Sequence, residues 1–151
     1  MGNIFNDDFR DFISSLNSQG VEYILIGGYS VILHGYPRTT GDLDIWVNRT
    51  EENYSRILNS FNEFGMGVFD MTKENFLNNP EYDVFSFGRP PVSIDLLVKV
   101  KGLHFDEAFR KSFVKKVDQI EVRVIHIDDL RAAKKASNRP KDRNDLDNLE
   151  S

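Results

Sequence analysis

Residues 21–47, VEYILIGGYSVILHGYPRTTGDLDIWV, decide the fold of this chain. Residues 21–26 form a short apolar run rich in β-forming side chains, which predicts a buried strand. Gly27 and Gly28 follow, and glycine can adopt positive φ or let another group approach the backbone closely. Residues 29–34 predict a brief helix after this turn. A second strand is expected to complete the unit, and it begins with two aspartates.

These two acids, in Asp42-Leu43-Asp44, are the strongest chemical signal in the sequence. Side chains alternate along a strand, so Asp42 and Asp44 are expected on one face and Leu43 on the other. Like charges on one face repel, and a cation would remove that cost. Mg²⁺ takes carboxylate oxygens and completes its shell with water and substrate phosphates. The alternative for this pair is a solvated strand end.

A third acid lies in the apolar run of residues 92–98, VSIDLLV, in which Asp95 is the only charged side chain. A buried carboxylate without a partner is expensive. Either an arginine pairs with Asp95, or Asp95 shares a metal site with Asp42 and Asp44. These two interpretations predict different neighbours for the Asp95 side chain.

Three strand-borne aspartates behind a Gly-Gly turn resemble the nucleotidyltransferase superfamily, whose catalytic domain is shared with DNA polymerase beta. Residues 27–30, GGYS, are similar to the glycine-glycine-x-serine turn of that superfamily. The spacing Arg38-x-Thr40-x-Asp42-x-Asp44 resembles the motif of its small members, including minimal nucleotidyltransferases and abortive-infection toxins. Residues 139–146, RPKDRNDL, resemble the R-x-K-D-x-x-D-L ending found in the same small proteins.

The resemblance implies an α/β (α+β) fold, a nucleotidyltransferase-like mixed β-sheet with helices packed on it. It also implies transfer of a nucleoside monophosphate from a nucleoside triphosphate such as ATP to an acceptor hydroxyl. Two Mg²⁺ or Mn²⁺ ions would be held by Asp42, Asp44 and Asp95, and Asp95 would also accept the hydroxyl proton. These three aspartates are the predicted catalytic and metal-binding residues.

The predicted nucleotide-binding residues follow from the same resemblance. Gly28 and Ser30 would contact phosphate through a backbone amide and a hydroxyl. Arg38 would either offer charge to the phosphates or form a salt bridge that orients Asp42 or Asp44. Thr40 would support the site, and two tail lysines would contact the triphosphate or the acceptor. The full predicted set is Gly27, Gly28, Ser30, Arg38, Thr40, Lys134 and Lys141.

Composition limits the classes of protein to consider. The chain has 151 residues, of which 40% are apolar and 28% are charged. This length and composition predict one domain over residues 1–151. Within that domain, the sequence from about residue 128 predicts a basic helical tail. Twelve phenylalanines predict a phenylalanine-rich core. The absence of cysteine excludes disulfides and fits a cytoplasmic protein. No signal peptide or membrane span is expected.

The net charge of -5 argues against a general nucleic-acid-binding surface. Residues 131–143 nevertheless hold six basic residues and one acid, Asp142. This basic cluster is either a solvated helix face or a local anion site for a triphosphate or an RNA end.

The acceptor is expected to be RNA, protein or a small molecule. No separate helical acceptor domain is evident, so the tail helices, a second subunit of a homodimer or a helical partner protein would bind it. A toxin acting on tRNA or protein fits this size. Two rival hypotheses are a nucleotide-binding module without turnover and a subunit of a protein assembly.

Outside the central unit, periodicity predicts further elements. They are a helix over 4–18, a helix from Thr50 to Gly65, a short helix or loop over 72–80, a hairpin of strands 82–87 and 92–98 with Arg89 at its turn facing solvent or a ligand, a weak helix over 106–113, a strand over 121–127 at the other side or edge of the sheet, a helix to about 138 with an aspartate N-cap, and a last helix through Leu149.

Overall fold

The computed structural model describes residues 3–89 and 92–150. Within these residues, helices pack on a six-stranded mixed sheet, as the sequence predicts. In chain order the elements are α1 (Asp7–Ser18), β1 (Tyr23–Ile26), α2 (Gly27–Leu33), β2 (Leu43–Val47), α3 (Glu51–Phe64), α4 (Lys73–Leu77), β3 (Val84–Arg89), β4 (Val92–Leu97), α5 (Phe105–Lys111), β5 (Phe113–Val117), β6 (Ile120–Val124), α6 (Ile127–Ser137) and α7 (Pro140–Glu150).

The strand order β3-β4-β2-β1-β6-β5 places the central unit in the middle of the sheet. β2 pairs antiparallel with β1 on one side and parallel with β4 on the other. The predicted hairpin of β3 and β4 is present, and β5 and β6 form a second hairpin. The Arg89 side chain, together with Pro90 and Pro91 of the first hairpin turn, lies outside the described residues.

The two faces of the sheet carry different chemistry. On β2, Leu43, Ile45 and Val47 join a core under α1 and α3. Many aromatic rings fill this core, for example Phe12 edge-on to Phe61 with ring centroids 5.6 Å apart, which confirms the predicted phenylalanine-rich core. Alternate strand residues face the other way, into a smaller core beneath α5, α6 and α7.

Capping residues confirm both predicted ends of α3. The Thr50 side chain accepts a hydrogen bond from the Asn53 amide at the start of α3. Gly65 ends that helix in the left-handed conformation at φ 91°. The predicted aspartate N-cap of α6 is wrong, because the His126 side chain accepts the hydrogen bond from the Asp128 amide.

Two element boundaries, one additional strand and the position of another strand also differ from the sequence predictions. The helix after β1 starts at Gly27, so the glycines lie inside its first turn. Strand β2 starts at Leu43, which leaves Asp42 just outside it. Strand β5 was not predicted, because its five residues directly follow a helix and only Val117 is buried. With β5 at the edge, β6 lies inside the sheet rather than at its margin.

In the ranges described, no helix is long and apolar enough to cross a membrane.

Candidate active site

The structure brings the three predicted acids to one cleft. Asp44 and Asp95 are register partners on the neighbouring parallel strands β2 and β4. Asp42, one step before β2, accepts a hydrogen bond of 2.8 Å from the Ser93 hydroxyl of β4. All three line a cleft of about 380 Å³ on the sheet face that carries α6 and α7. We call Asp42, Asp44 and Asp95 the sheet cluster.

The sheet cluster concentrates negative charge. Burial raises the pKa of Asp44 to about 7, and the charge of Asp95, a hydrogen bond with it and the charge of Asp42 act in the same direction. Lys141 opposes this rise only as the smallest contribution to the Asp44 pKa. Among the described side chains, no cation pairs with any of the three acids. The predicted arginine partner of Asp95 is therefore absent from them.

Gly27 and Gly28 allow these side chains to approach the backbone. Gly27 has φ +72°, and a Cβ built there would lie 2.1 Å from an oxygen of Asp44. A Cβ on Gly28 would lie 2.4 Å from the Thr40 hydroxyl. Both roles proposed for glycine, positive φ and close approach, therefore apply at this turn. Any larger residue at Gly27 would displace Asp44.

A smaller space of about 240 Å³ adjoins the sheet cluster, and we call it the cationic lobe. It is lined by the glycine turn, by the loop after α2 and by basic residues of the tail. Six of the seven predicted nucleotide-binding residues lie here, together with Arg139: Gly27, Gly28, Arg38, Thr40, Lys134 and Lys141.

Ser30 is the exception. Its side chain is fully buried, and its hydroxyl donates a 2.6 Å hydrogen bond to the Gly27 carbonyl. Ser30 does not line the cationic lobe in this conformation, and the contact of its hydroxyl with phosphate stays a prediction. Ser30 instead stabilises the turn that carries Gly27. His34 also lies outside the cleft and outside the cationic lobe, with Nε2 2.8 Å from the Ile125 carbonyl oxygen.

Two acids of α7 hold three of the four basic residues of the lobe. Asp145 Oδ2 accepts from Arg38 Nη1 at 2.7 Å and lies 3.0 Å from Lys134 Nζ. Arg38 therefore pairs with Asp145, and the predicted pairing with Asp42 or Asp44 is wrong. Asp142 and Asp145 with these partners and Arg139 form what we call the helix cluster.

Asp142 is the most enclosed member of the helix cluster, with no exposed surface. Burial alone would raise its pKa, but hydrogen bonds from Arg139 and Ser137 and the charge of Lys134 hold the pKa well below its usual range. Arg139 donates to it from Nε at 2.8 Å and from Nη2 at 3.2 Å. This acid joins α6 to α7 across the turn at Asn138.

On the other side of the sheet cluster, the larger cleft has a mixed lining. Val84, Leu97, Val100, Leu130 and Ala133 supply apolar surface, and Lys99 and Lys101 supply charge. We call this part the mixed lobe. The sheet cluster therefore stands between a small cationic space and a larger, partly apolar one.

The carboxylates of the sheet cluster are the chemical groups that a divalent ion prefers, but the structure does not arrange them as a metal site. Within residues 3–89 and 92–150, no group of three or more His, Asp or Glu side chains is arranged to hold a metal ion. The hydrogen bond between Asp42 and Ser93 holds one carboxylate oxygen on β4. A set of carboxylates that lacks cationic partners is nevertheless the donor set that Mg²⁺ and Mn²⁺ prefer.

Comparison with known families decides the relationship. Residues 8–150 match the family described as a nucleotidyltransferase of unknown function (DUF6036). The chain belongs to this nucleotidyltransferase family. A search of curated proteins finds no match.

Solved structures show the same nucleotidyltransferase fold. LnuA, a lincosamide antibiotic adenylyltransferase with lincomycin bound, superposes with a TM-score of 0.62 over 99% of both chains at 14% identity. TM1012 from Thermotoga maritima, which carries a provisional nucleotidyltransferase assignment, gives 0.58 over 94% of this chain and 89% of its own at 14% identity. Family and fold together support nucleotidyl transfer as the general activity.

Sequence reasoning missed several residues that line the cleft or bind its lining residues. Ser93 lies two positions before Asp95 on the same strand face, so strand alternation could have identified it. Asp142 and Asp145 stand in the tail motif, but nothing in the sequence indicates which cations they bind. Lys99 and Lys101 follow β4 and carry no recognisable signal.

Proposed function

We propose that this protein is a divalent-metal-dependent enzyme that moves a nucleoside monophosphate from a nucleoside triphosphate to an acceptor hydroxyl. The acceptor oxygen bonds to the α-phosphorus, and the bond from that phosphorus to the oxygen bridging the β-phosphate breaks. Pyrophosphate leaves, and the hydroxyl proton passes to a carboxylate oxygen of Asp95. Asp44 is the register partner of Asp95 on the neighbouring strand.

The observation that carries this proposal is the pairing of Asp44 with Asp95 beside a cationic lobe. Two carboxylates in register on adjacent strands repel each other, and the fold offers them no cation among its described side chains. Such a site costs stability without a ligand, which favours a binding or catalytic role. The basic residues that line the adjoining cationic lobe then suit the negative charge of a triphosphate.

Asp42, Asp44 and Asp95 are the residues that would hold Mg²⁺ or Mn²⁺. When bound, such ions neutralise charge on the entering and leaving oxygens of the transferring phosphate. Asp42 would give up its hydrogen bond with Ser93 to join them. Ser93 would then be free to donate to another oxygen of the site.

The remaining residues bind and orient the substrate. The cationic lobe receives the triphosphate, with the backbone of Gly28 beneath Arg38 and Thr40. Lys141 lines the same lobe and has no ion-pair partner among the described side chains, so its charge is available to phosphate. The mixed lobe receives the nucleoside and the acceptor next to Asp95.

A transfer assay tests this proposal. The protein is incubated with each α-³²P-labelled nucleoside triphosphate, Mg²⁺ and total cell RNA, protein or small-molecule extract, and labelled products are separated. We expect label on one acceptor class and release of pyrophosphate, both abolished by EDTA. The lincomycin-bound state of LnuA, in which that protein holds a small molecule, is the reason to include small acceptors.

The outcomes separate three possibilities. Transfer that is lost in Asp95→Asn supports the enzyme. Metal-dependent binding of a triphosphate without pyrophosphate release would replace it with a nucleotide-binding module. No binding of any triphosphate with Mg²⁺ or Mn²⁺ would reject both and leave a role in a protein assembly.

A further inference from the structure

Asp145 occupies an unusual place between two cations of the cationic lobe. Its Oδ2 lies 2.7 Å from Arg38 Nη1 and 3.0 Å from Lys134 Nζ. The Asp145 side chain is almost completely buried, and it does not line either lobe. One carboxylate oxygen therefore ties together two basic groups that reach the lobe from different parts of the chain.

Arg38 needs such a partner because its own backbone offers little restraint. It lies in the connection between α2 and β2, where residues 36–42 have no regular secondary structure. Besides Asp145, its guanidinium has one hydrogen-bond partner among the described residues, the neighbouring Thr39 carbonyl at a long 3.3 Å. Its Cζ would still lie 3.5 Å from a Cβ on Gly28, so the group is held directly over the glycine backbone.

Lys134 is restrained from the other side. It lies on α6, it is 6% exposed, and its Nζ is also 3.4 Å from Asp142 Oδ1. A flexible ammonium group has three donors; one donates to Asp142, and Asp145 lies within ion-pair distance. Donor capacity therefore remains for a ligand in the lobe that Lys134 lines.

We propose that Asp145 is a positioning residue that holds Arg38 and Lys134 against the phosphate chain of the nucleotide without touching the ligand itself. This proposal rests on the proposed function, which places the triphosphate in the cationic lobe. It assigns to α7 a task in substrate binding, performed through the two cations. The buried carboxylate fixes their geometry, so less conformational freedom is lost when phosphate binds.

A simpler role for Asp145 would be to neutralise two neighbouring positive charges. The two roles predict opposite signs for the loss of the carboxylate. Asp145→Asn adds one net positive charge beside the lobe, so pure neutralisation predicts tighter binding of an anion. Positioning predicts weaker binding, because Arg38 and Lys134 become mobile.

The test measures binding of inorganic tripolyphosphate with Mg²⁺ by isothermal titration calorimetry, which requires neither the correct nucleobase nor the acceptor. We expect Asp145→Asn to raise the dissociation constant by about tenfold or more, the range of a charge-assisted hydrogen bond. Asp147→Asn is the matched control, because it removes the same charge from an exposed position of α7. Its dissociation constant should stay within about twofold of the parent.

Asp145→Glu provides a second variant that keeps the charge and the ion pairs. Neutralisation predicts parental binding for it, whereas positioning predicts a loss of about threefold or more, because the carboxylate moves by one methylene. This variant decides the proposal if Asp145→Asn does not fold, as judged by its circular dichroism spectrum.

The results distinguish the positioning role of Asp145 from the proposed function of the protein. Equal or tighter binding by Asp145→Asn, or parental binding by Asp145→Glu, overturns the positioning role while leaving the proposed function intact. A parent protein that binds neither tripolyphosphate nor any nucleoside triphosphate overturns both.

Discussion

The sheet cluster and the helix cluster both consist of aspartates in or near one cleft, yet their surroundings are opposite. Asp44 and Asp95 face each other with no cation among the described side chains, and the pKa of Asp44 is raised to about 7. Asp142 and Asp145 are enclosed by three cations, and the pKa of Asp142 is lowered. The first cluster opposes folding, and the second supports it. Acids that the fold does not neutralise are the ones expected to bind a ligand.

The largest effect that would test this contrast is the loss of activity in Asp44→Asn. The substitution keeps the size of the side chain but removes the charge expected to hold the ions. Transfer activity should fall by at least about 1,000-fold, since metal stabilisation of the transferring phosphate supplies several kcal/mol. Pyrophosphate release is the measurement.

The same variant should keep its fold. Removing one of three repelling charges is expected to leave the melting temperature unchanged or raise it. An unfolded Asp44→Asn protein would assign Asp44 a structural role, and a fully active one would refute its role in metal binding.

The next largest effect is on stability, at the helix cluster. Asp142→Asn leaves the buried Lys134 with Asp145 as its one remaining acidic partner among the described side chains, and it weakens the bonds from Arg139. We expect a loss of about 3 kcal/mol in the free energy of unfolding, typical of a broken buried ion pair. Urea unfolding measures it, with Asp147→Asn as the exposed control. A loss no larger than that of the control would remove the distinction between the clusters.

A smaller effect should follow from adding metal. An ion that binds only the folded sheet cluster stabilises it by about 1.4 kcal/mol at ten times its dissociation constant, or roughly 3 °C in melting temperature. Thermal unfolding with Mg²⁺ or Mn²⁺ against EDTA shows this rise in the parent. Asp44→Asn should lack it. An equal rise in both proteins would place the ion elsewhere.

The smallest effect is a pH dependence at the helix cluster. Because the folded pKa of Asp142 is depressed, its contribution to stability is present above its unfolded pKa of about 3.9 and lost as pH falls below that value. The stability gap between the parent and Asp142→Asn should therefore shrink by about 1 kcal/mol between pH 5 and pH 3. Urea unfolding at both pH values tests this, and a gap that widens on acidification would contradict it.

How far the sequence could lead is clear from the two clusters. Strand alternation and the isolation of Asp95 in an apolar run were enough to nominate the sheet cluster. The register that sets Asp44 beside Asp95 depends on long-range pairing of β2 with β4, which no local pattern encodes. The pairing of Asp145 with Arg38 was likewise invisible, because these two residues are 107 positions apart in the chain.

Local errors had local causes. Strand β5 follows α5 with only Ser112 between them and buries little, so the sequence predicts a weak helix over 106–113 and no strand after it. The start of α6 offered two aspartates as caps, yet the preceding His126 supplies the acceptor. Ser30 matched a motif, but its hydroxyl donates to the carbonyl of Gly27, three positions earlier in the same helix.

The pairing of β2 with β4 also bears on the speed of folding. Asp42 and Ser93, which meet at the end of these strands, are 51 positions apart, and a parallel pair of this kind forms only after a long loop has closed. Contacts so distant in sequence slow the folding of small domains. The pairing of β2 with β4 also brings the like charges of Asp44 and Asp95 together. The chain therefore closes the long loop between these two strands against electrostatic repulsion. The chemistry of the cleft is therefore a kinetic burden on every newly folding molecule, before any substrate arrives.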